Sequence, residues 1–234
     1  MTQKHASQIL LVEDDSELAQ MVSEYLQSNG FQVTIEQRGD TAVDRILQDA
    51  PDAVLLDINL PGLDGFDVCR RVRPRYDGLI LILTARGDEL DEIVGLEIGA
   101  DDYMSKPVRP RLLLARLRSH LRKHVPSDAA DQVREITVGS LQIHLNRRSV
   151  TLGEAEVQLT TAEFDLLWML AEQAGQVVSR EDIYPRLVGV NYDGQDRSID
   201  LRVSRLRRKL GDDPATPTRI KSIRGVGYIL VDDQ

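Results

Sequence analysis

Apolar residues in the first half of the chain gather into short runs, and each run ends on a polar side chain able to do chemistry. Ile9-Leu10-Leu11-Val12 stops at Glu13-Asp14, Val54-Leu55-Leu56 at Asp57, Leu79-Ile80-Leu81-Ile82-Leu83 at Thr84, and Tyr103-Met104 at Ser105-Lys106. Between the runs lie polar segments with helical spacing, which predict helices over about 16 to 29, 40 to 49, 64 to 73, 88 to 98 and 110 to 123. Gly30 and Gly99 stand where helix C-caps belong, and Pro51 follows the second helix as a stop. Repeated strand-helix units predict a doubly wound, five-stranded parallel α/β sheet, in which every strand delivers its C-terminal end to one edge. Residues far apart in sequence then meet in one crevice.

The pattern changes in the second half. Residues 125–135 hold few apolar side chains and predict a linker between a first domain, 1–124, and a second, 136–234. Short alternating runs near Ile136 to Val138, Leu141 to Ile143, Ser149 to Thr151 and Glu156 to Leu159 predict a small antiparallel sheet. Thr160-Thr161-Ala162-Glu163 is a capping box opening a helix with Phe164, Leu167, Trp168 and Ala171 inward. Ser179-Arg180-Glu181-Asp182 begins a shorter helix, and a third runs from about Arg197 to Leu210. Arg219 to Ile223 and Tyr228 to Leu230 then flank Arg224-Gly225-Val226-Gly227 as a hairpin would. Three helices and a terminal hairpin predict an α+β winged helix-turn-helix.

Length agrees with this division, since 234 residues supply two cores of about 100 to 130 residues each. The single cysteine, Cys69, excludes a disulfide framework and is expected as a small buried hydrophobe beside Val68 and Val72. No N-terminal stretch pairs a basic start with an apolar run, and none approaches the ~18 residues of a membrane span. A soluble, cytoplasmic protein without a membrane partner is therefore expected. The net charge of −9 argues against indiscriminate nucleic-acid binding by the whole molecule. Local sign reverses in the third helix, where Arg197, Arg202, Arg205, Arg207, Arg208 and Lys209 face only Asp200. Ile199, Val203, Leu206 and Leu210 share the face that docks on a core, while Ser198, Arg202, Arg205 and Lys209 form a neighbouring stripe expected to be basic and exposed. Arginine on such a helix can donate bidentately to guanine, and Lys221 and Arg224 on the hairpin can neutralise phosphates.

Glu13, Asp14 and Asp57 would bring three carboxylates to adjacent strand ends. Like charges resist sharing a pocket, and a hard divalent cation with oxygen ligands relieves the crowding, which fits Mg²⁺ held by Asp14 and Asp57, with Glu13 acting through water. Asp57 is then the candidate nucleophile, because a carboxylate can form an acyl phosphate while the metal neutralises the equatorial oxygens. Lys106 supplies a fixed cation to another of those oxygens, and Thr84 a hydroxyl donor.

These residues carry a resemblance. Glu13-Asp14-Asp15, Asp57 within Leu-Leu-Asp-Ile-Asn-Leu-Pro-Gly-Leu-Asp-Gly, Thr84-Ala85, and Tyr103 with Lys106-Pro107 resemble a two-component response regulator across the whole receiver. The resemblance implies that Asp57 accepts phosphate from a partner sensor histidine kinase and that the backbone carbonyl of Asn59 joins the Mg²⁺ shell. It also implies a cis Lys106-Pro107 bond and makes Thr84 and Tyr103 switch residues that move toward the phosphate. Asn59 and Arg86 would flank the path of attacking water and tune the lifetime of the acyl phosphate, so the only enzymatic activity expected is self-catalysed.

Leu-Thr-Thr-Ala-Glu-Phe-Asp-Leu-Leu, Arg-Ser-Ile-Asp-Leu-Arg-Val-Ser-Arg-Leu-Arg-Arg-Lys-Leu and Ile-Arg-Gly-Val-Gly-Tyr extend the resemblance to the OmpR/PhoB winged-helix effectors. The stretch from Gly189 to Asp200 is most similar to RstA-type regulators. In the OmpR/PhoB subfamily a phosphorylated receiver forms a two-fold homodimer through ion pairs around an apolar patch. The matching positions here are Ile93, Leu96, Glu97, Asp101, Asp102, Leu114, Arg116, Arg118 and Arg122. One departure is Glu92 and Leu112, where the subfamily usually has a basic residue and an acid, so that pair is absent. By the same analogy, RNA polymerase meets the loop Val188 to Gln195, and the dimer binds double-stranded promoter DNA at tandem half-sites.

Two readings from other classes compete. A phosphatase or phosphotransferase acting through an aspartyl phosphate usually carries an acid two residues beyond its nucleophile, where this chain has Asn59. A receiver with a protein-binding output would lack affinity for duplex DNA.

Overall fold

The computed structural model describes residues 6–84, 98–121, 135–194, 196–213 and 215–232, and divides into two compact units, Met1–Leu121 and Arg122–Gln234. In the first unit the strands are β1 (Gln8–Val12), β2 (Gln32–Glu36), β3 (Ala53–Asp57), β4 (Leu79–Thr84) and β5 (Asp102–Ser105). They pair in parallel in the order β2-β1-β3-β4-β5. The central strands β3 and β4 are buried along their whole length, as their unbroken apolar runs require of a sheet covered on both faces. The edge strand β2 buries less, and its Val33 and Ile35 alternate with polar neighbours.

Helices α1 (Ser16–Ser28), α2 (Gly39–Asp49), α3 (Gly65–Val72) and α4 (Pro110–His120) cover the sheet. Asp15 caps α1 by accepting from the Glu17 and Leu18 N–H groups, and Asp64 caps α3 through the Asp67 N–H. The second helix ends at Ala50 in the left-handed region, with Pro51 preventing its continuation. Gly30 and Gly99, the expected C-cap glycines, have φ of 92° and 118°. Cys69 lies fully buried on α3 between Val68 and Val72. Gly65 starts α3 directly against the end of β3, where a Cβ would stand 2.0 Å from the Asp57 carbonyl oxygen. Only glycine lets the helix approach so closely. The helix expected over 88 to 98 lies outside the described residues except for Ile98, and so does the linker expected over 125–135, apart from its last residue.

The second unit begins with an antiparallel sheet of β6 (Glu135–Val138), β7 (Leu141–His144), β8 (Ser149–Leu152) and β9 (Ala155–Glu156). The strand expected over Glu156 to Leu159 is shorter and earlier. Val157 still donates to the Val150 carbonyl at 2.9 Å, and the chain then leaves the sheet to cap the next helix at Thr160. Helices α5 (Thr161–Glu172), α6 (Arg180–Leu187) and α7 (Ser198–Lys209) follow. A second sheet joins β10 (Val178–Ser179), β11 (Ile220–Ile223) and β12 (Gly227–Leu230) in the order β10-β12-β11. The core gathers Phe164, Leu167, Trp168, Ile183, Ile199, Val203, Leu206, Leu210 and Tyr228. Helix α5 is its central rod, buried on nearly every side.

Candidate functional site

At the C-terminal edge of the first sheet, Glu13 and Asp14 follow β1 and Asp57 ends β3. Each offers a carboxylate oxygen, and these oxygens lie within 4.8 Å of one another. Glu13 and Asp57 are buried and Asp14 is exposed. Lys106, just beyond β5, places Nζ 2.7 Å from Glu13 Oε2 and 3.2 Å from Asp57 Oδ2. The other Asp57 oxygen accepts from the Ile58 N–H at 2.8 Å, which fixes the carboxylate's orientation. The Lys106-Pro107 bond is cis.

Glu13 and Asp57 thus share one lysine. Burial raises the pKa of Glu13, and the charge of Asp57 adds to the rise, against the hydrogen bond from Lys106. For Lys106 burial acts downward, but the hydrogen bond to Glu13 and the charges of Asp57 and Glu13 outweigh it and raise the ammonium above its ordinary value. An all-oxygen donor set with excess negative charge suits a hard divalent cation. Asn59 stands exposed two residues past Asp57. Thr84 ends β4 fully buried, and its carbonyl accepts from the Lys106 N–H at 2.6 Å. Tyr103 is buried on β5.

The acids and bases expected to meet a second copy have partners inside this one. Asp101 is 1% exposed, bonded to Arg73 Nη2 at 2.8 Å and to the Ile80 N–H at 2.9 Å. Asp102 is fully buried between Arg116 and His120 of α4. Arg116 and Leu114 are buried as well, while Arg118 is exposed and donates to Asn29 Oδ1 at 3.3 Å. Asp101, Asp102 and Arg116 are therefore not the free surface charges that their sequence positions suggest. A carboxylate enclosed at a sheet edge has to be satisfied locally, and the Arg73 ion pair to Asp101 and the His120 hydrogen bond to Asp102 do this without any signal in the local sequence pattern. Ile93, Leu96, Glu97 and Arg122 lie outside the described residues.

In the second unit, α7 docks Ile199, Val203, Leu206 and Leu210 into the core, as the spacing requires. The neighbouring stripe differs from expectation, because Ser198, Arg202 and Arg205 are buried instead of exposed. Helical periodicity tells which side chains share a stripe but not which acids lie beside it. Beside Arg205 lies Glu163, the buried third residue of α5, whose oxygens are 3.9 Å from Arg205 Nε and 2.6 Å from Nζ of the more exposed Lys209. The same Glu163 closes the predicted capping box by accepting from the Thr160 N–H. Arg197, Arg208, Lys209, Lys221 and Arg224 are the cations of the helix and hairpin exposed or partly exposed to solvent. The sequence reading also missed an inner network in which Asp200 accepts from Arg180 at 2.8 Å and from the Tyr228 hydroxyl. In the loop Val188 to Gly194, Tyr192 packs on Tyr184 at a ring distance of 4.7 Å, while Asn191, Asp193 and Gly194 are exposed; Gln195 is outside the described residues.

A parallel sheet with acids and a lysine at its C-terminal edge, followed in the same chain by a winged helix with a cationic helix and hairpin, defines a receiver coupled to a DNA-binding output. Residues 9–118 match the response regulator receiver domain, and residues 153–230 match the transcriptional regulatory protein C-terminal domain. The chain belongs to the OmpR/PhoB-type response regulators, the DNA-binding transcription regulators of two-component systems. It is 44% identical over 230 residues to the transcriptional regulatory protein RstA of Escherichia coli K12, covering 95% of this chain and 96% of that one. Among solved structures it is similar to a C128D mutant of RitR (29% identity, TM-score 0.70, 97% of this chain and 100% of the other). It is also similar to the response regulator DrrB of Thermotoga maritima, an OmpR/PhoB homolog (32% identity, TM-score 0.50, 97% and 99%).

Proposed function

We propose that Asp57 is the phosphoacceptor, taking a phosphoryl group from the phosphohistidine of a sensor kinase in the cytoplasm. An Asp57 carboxylate oxygen attacks phosphorus, the bond to the histidine nitrogen breaks, and an acyl phosphate results. The observation that carries this reading is the position of Lys106 Nζ, 3.2 Å from Asp57 Oδ2, in a pocket that Glu13 and Asp14 make acidic. Asp14, Asp57 and the Asn59 backbone carbonyl would hold Mg²⁺, with Glu13 bound through water; the ion supplies charge neutralisation for the equatorial oxygens when bound. Lys106 neutralises one of those oxygens, Thr84 donates its hydroxyl to another, and Tyr103 reports the change. Asn59 and Arg86 set how fast water removes the group.

The new charge, roughly −1.5 to −2, then biases the receiver toward a homodimer across Ile93, Leu96, Glu97, Asp101, Asp102, Leu114, Arg116, Arg118 and Arg122. Asp101, Asp102 and Arg116 must exchange internal partners for external ones as the dimer forms. Two winged helices joined by one receiver pair bind tandem half-sites in promoter DNA. In each, Arg197 at the cap of α7 and Ser198, Arg202, Arg205 and Lys209 within it face the major groove, and Lys221 and Arg224 of the hairpin meet phosphates. Exposure of Arg202 and Arg205 has to increase before either reads a base. The loop Val188 to Gln195 is the contact for RNA polymerase. Domain limits of 1–124 and 136–234, with 125–135 as a linker, complete the assignment.

The test is intact-protein mass spectrometry after incubation with acetyl phosphate and Mg²⁺. One phosphoryl mass should appear on the native chain and not on Asp57→Ala. An adduct of equal yield on both chains, or on neither, overturns the assignment.

A further inference from the structure

One arginine of the basic helix spends its donors on the hairpin. Arg207, in the last turn of α7, is only 9% exposed, whereas its neighbours Arg208 and Lys209 are exposed. Its guanidinium donates to the Ile220 carbonyl oxygen from Nε at 2.8 Å and from Nη2 at 2.6 Å, and Nη2 also reaches Ser222 Oγ at 3.0 Å. Ile220 and Ser222 belong to β11, the outer strand of the hairpin sheet. At Ile220 the outer edge of that strand is closed from the α7 side: its carbonyl takes the guanidinium fork, and its N–H donates to Asp212 Oδ2 at 2.9 Å. Asp212 is itself buried, and accepts from the Thr218 N–H at 2.7 Å.

Among the described residues the hairpin's other backbone ties to the body run through β12 and the turn. β11 pairs with β12, and β12 is held to the body by two residue pairs, Val178 with Tyr228 and Ser179 with Gly227, while the Gly175 N–H donates to the Leu230 carbonyl at 2.8 Å and the Arg180 N–H to the Val226 carbonyl of the turn at 3.0 Å. These ties reach the body through β12 and the turn, so the spacing between α7 and β11, the strand that carries Lys221, is set at the outer edge of β11. There the Arg207 fork holds the strand to the helix, with planar donors that an ammonium cannot reproduce.

We propose that Arg207 is a positioning residue for sequence recognition: it sets the spacing between α7 and the hairpin, so that Lys221 and Arg224 reach DNA in register with the helix, and it touches no phosphate itself. The proposal rests on the reading of α7 and the hairpin as the DNA-binding surface. A cation whose donors are spent on a backbone carbonyl and a hydroxyl contributes little to counterion release. Its loss therefore acts on specific complexes, where helix and hairpin must fit one sequence together, and not on non-specific ones.

The test uses the full chain with Mg²⁺ and beryllofluoride. Affinity is measured across a salt series for two probes: the duplex most enriched from a random library by the native chain, and a scrambled duplex of equal composition. Arg207→Lys keeps the charge and loses the fork; Arg207→Met loses both. Each should weaken binding to the enriched duplex by about tenfold or more, leave the scrambled duplex within about twofold, and keep the native salt slope. Adding Arg224→Ala to Arg207→Lys should cost far less than Arg224→Ala alone. Should either variant fail to fold, Ser222→Ala removes one arm of the fork from the hairpin side and should give a smaller loss confined to the enriched duplex. Equal losses on both probes with a slope shallower by about one would make Arg207 a phosphate contact. Equal losses with an unchanged slope would make it a stabilising brace only, and no loss would leave it without a role. Failure of the native chain to enrich any duplex would remove the DNA-binding reading itself, before any variant is compared.

Discussion

Arg116 donates to Asp102 within a single copy of the chain, and the carboxylate it holds is completely enclosed. His120, one helical turn further along α4, places Nε2 3.1 Å from the second oxygen. Burial alone would raise the pKa of this acid, but the charge of Arg116 and then the hydrogen bond and charge of His120 overcome it and hold the group well below the ordinary carboxylate range. A depressed folded pKa contributes stability that is complete above the unfolded value, near 3.9, and is lost as pH falls through the folded one. Asp102→Asn should therefore destabilise the receiver by about 3–5 kcal/mol in urea unfolding near neutral pH, with the difference from the native chain shrinking below about pH 4. A difference that stays constant into acid would assign the loss to something other than this ion pair.

The same pair sets a condition on association. If Arg116 leaves Asp102 to bind a second copy, beryllofluoride with Mg²⁺ should double the mass seen by light scattering at micromolar protein. Arg116→Ala should remain monomeric under the same conditions. No change of mass in the native chain would break the proposed link between phosphate and dimerisation.

Asp14 is the exposed member of the carboxylate cluster, so its removal disturbs the pocket with little effect on packing. Asp14→Asn should weaken Mg²⁺ binding by about tenfold or more in isothermal titration calorimetry, and slow phosphorylation by acetyl phosphate in parallel. Unchanged affinity would take Asp14 out of the metal shell.

The parts of this molecule that could be read from sequence are those set by local pattern. Runs such as Leu79 to Leu83 fix buried strands, and the strand ends carry Glu13, Asp14, Asp57 and Lys106 to one edge whatever the loops do. The docked face of α7 follows from its spacing in the same way. What escaped was chemistry that depends on which distant elements pack together. Nothing in the sequence near Arg205 reveals that Glu163, 42 positions earlier, lies beside it (205 − 163). Arg73, His120 and Arg207 look like solvated charges on their own helices, and only the folded chain gives each a buried acceptor. The two-residue strand β10 is too short to leave a periodic signal at all.

Glu163 serves two purposes, completing the α5 cap and neutralising Lys209. Thr160→Ala should cost about 1 kcal/mol, the value of an N-cap, whereas Glu163→Ala should cost about 2–3 kcal/mol because it also strands cations beside a buried site. Trp168, the only tryptophan and a residue of the same helix, reports unfolding of this unit by fluorescence. Equal costs for the two substitutions would show that Lys209 gains nothing from Glu163.

Lys221 and Arg205 are the proposed examples of two kinds of DNA contact. Lys221 is exposed on β11, where its flexible ammonium can meet a phosphate, and among the described residues no partner orients it toward a base. Lys221→Ala should weaken binding to every duplex alike and make the slope of log K against log salt shallower by about 0.9. Arg205 sits on the helix, within 3.9 Å of Glu163, and its planar fork suits a guanine edge once it turns outward. Arg205→Ala should cost about 1–3 kcal/mol on the enriched duplex and relax preference at one base position, with little change in slope. Binding isotherms on enriched and random duplexes at several salt concentrations decide between them. A uniform loss for Arg205→Ala, with a reduced slope, would move that arginine from base reading to the phosphate backbone and leave Arg202 as the remaining candidate for direct recognition.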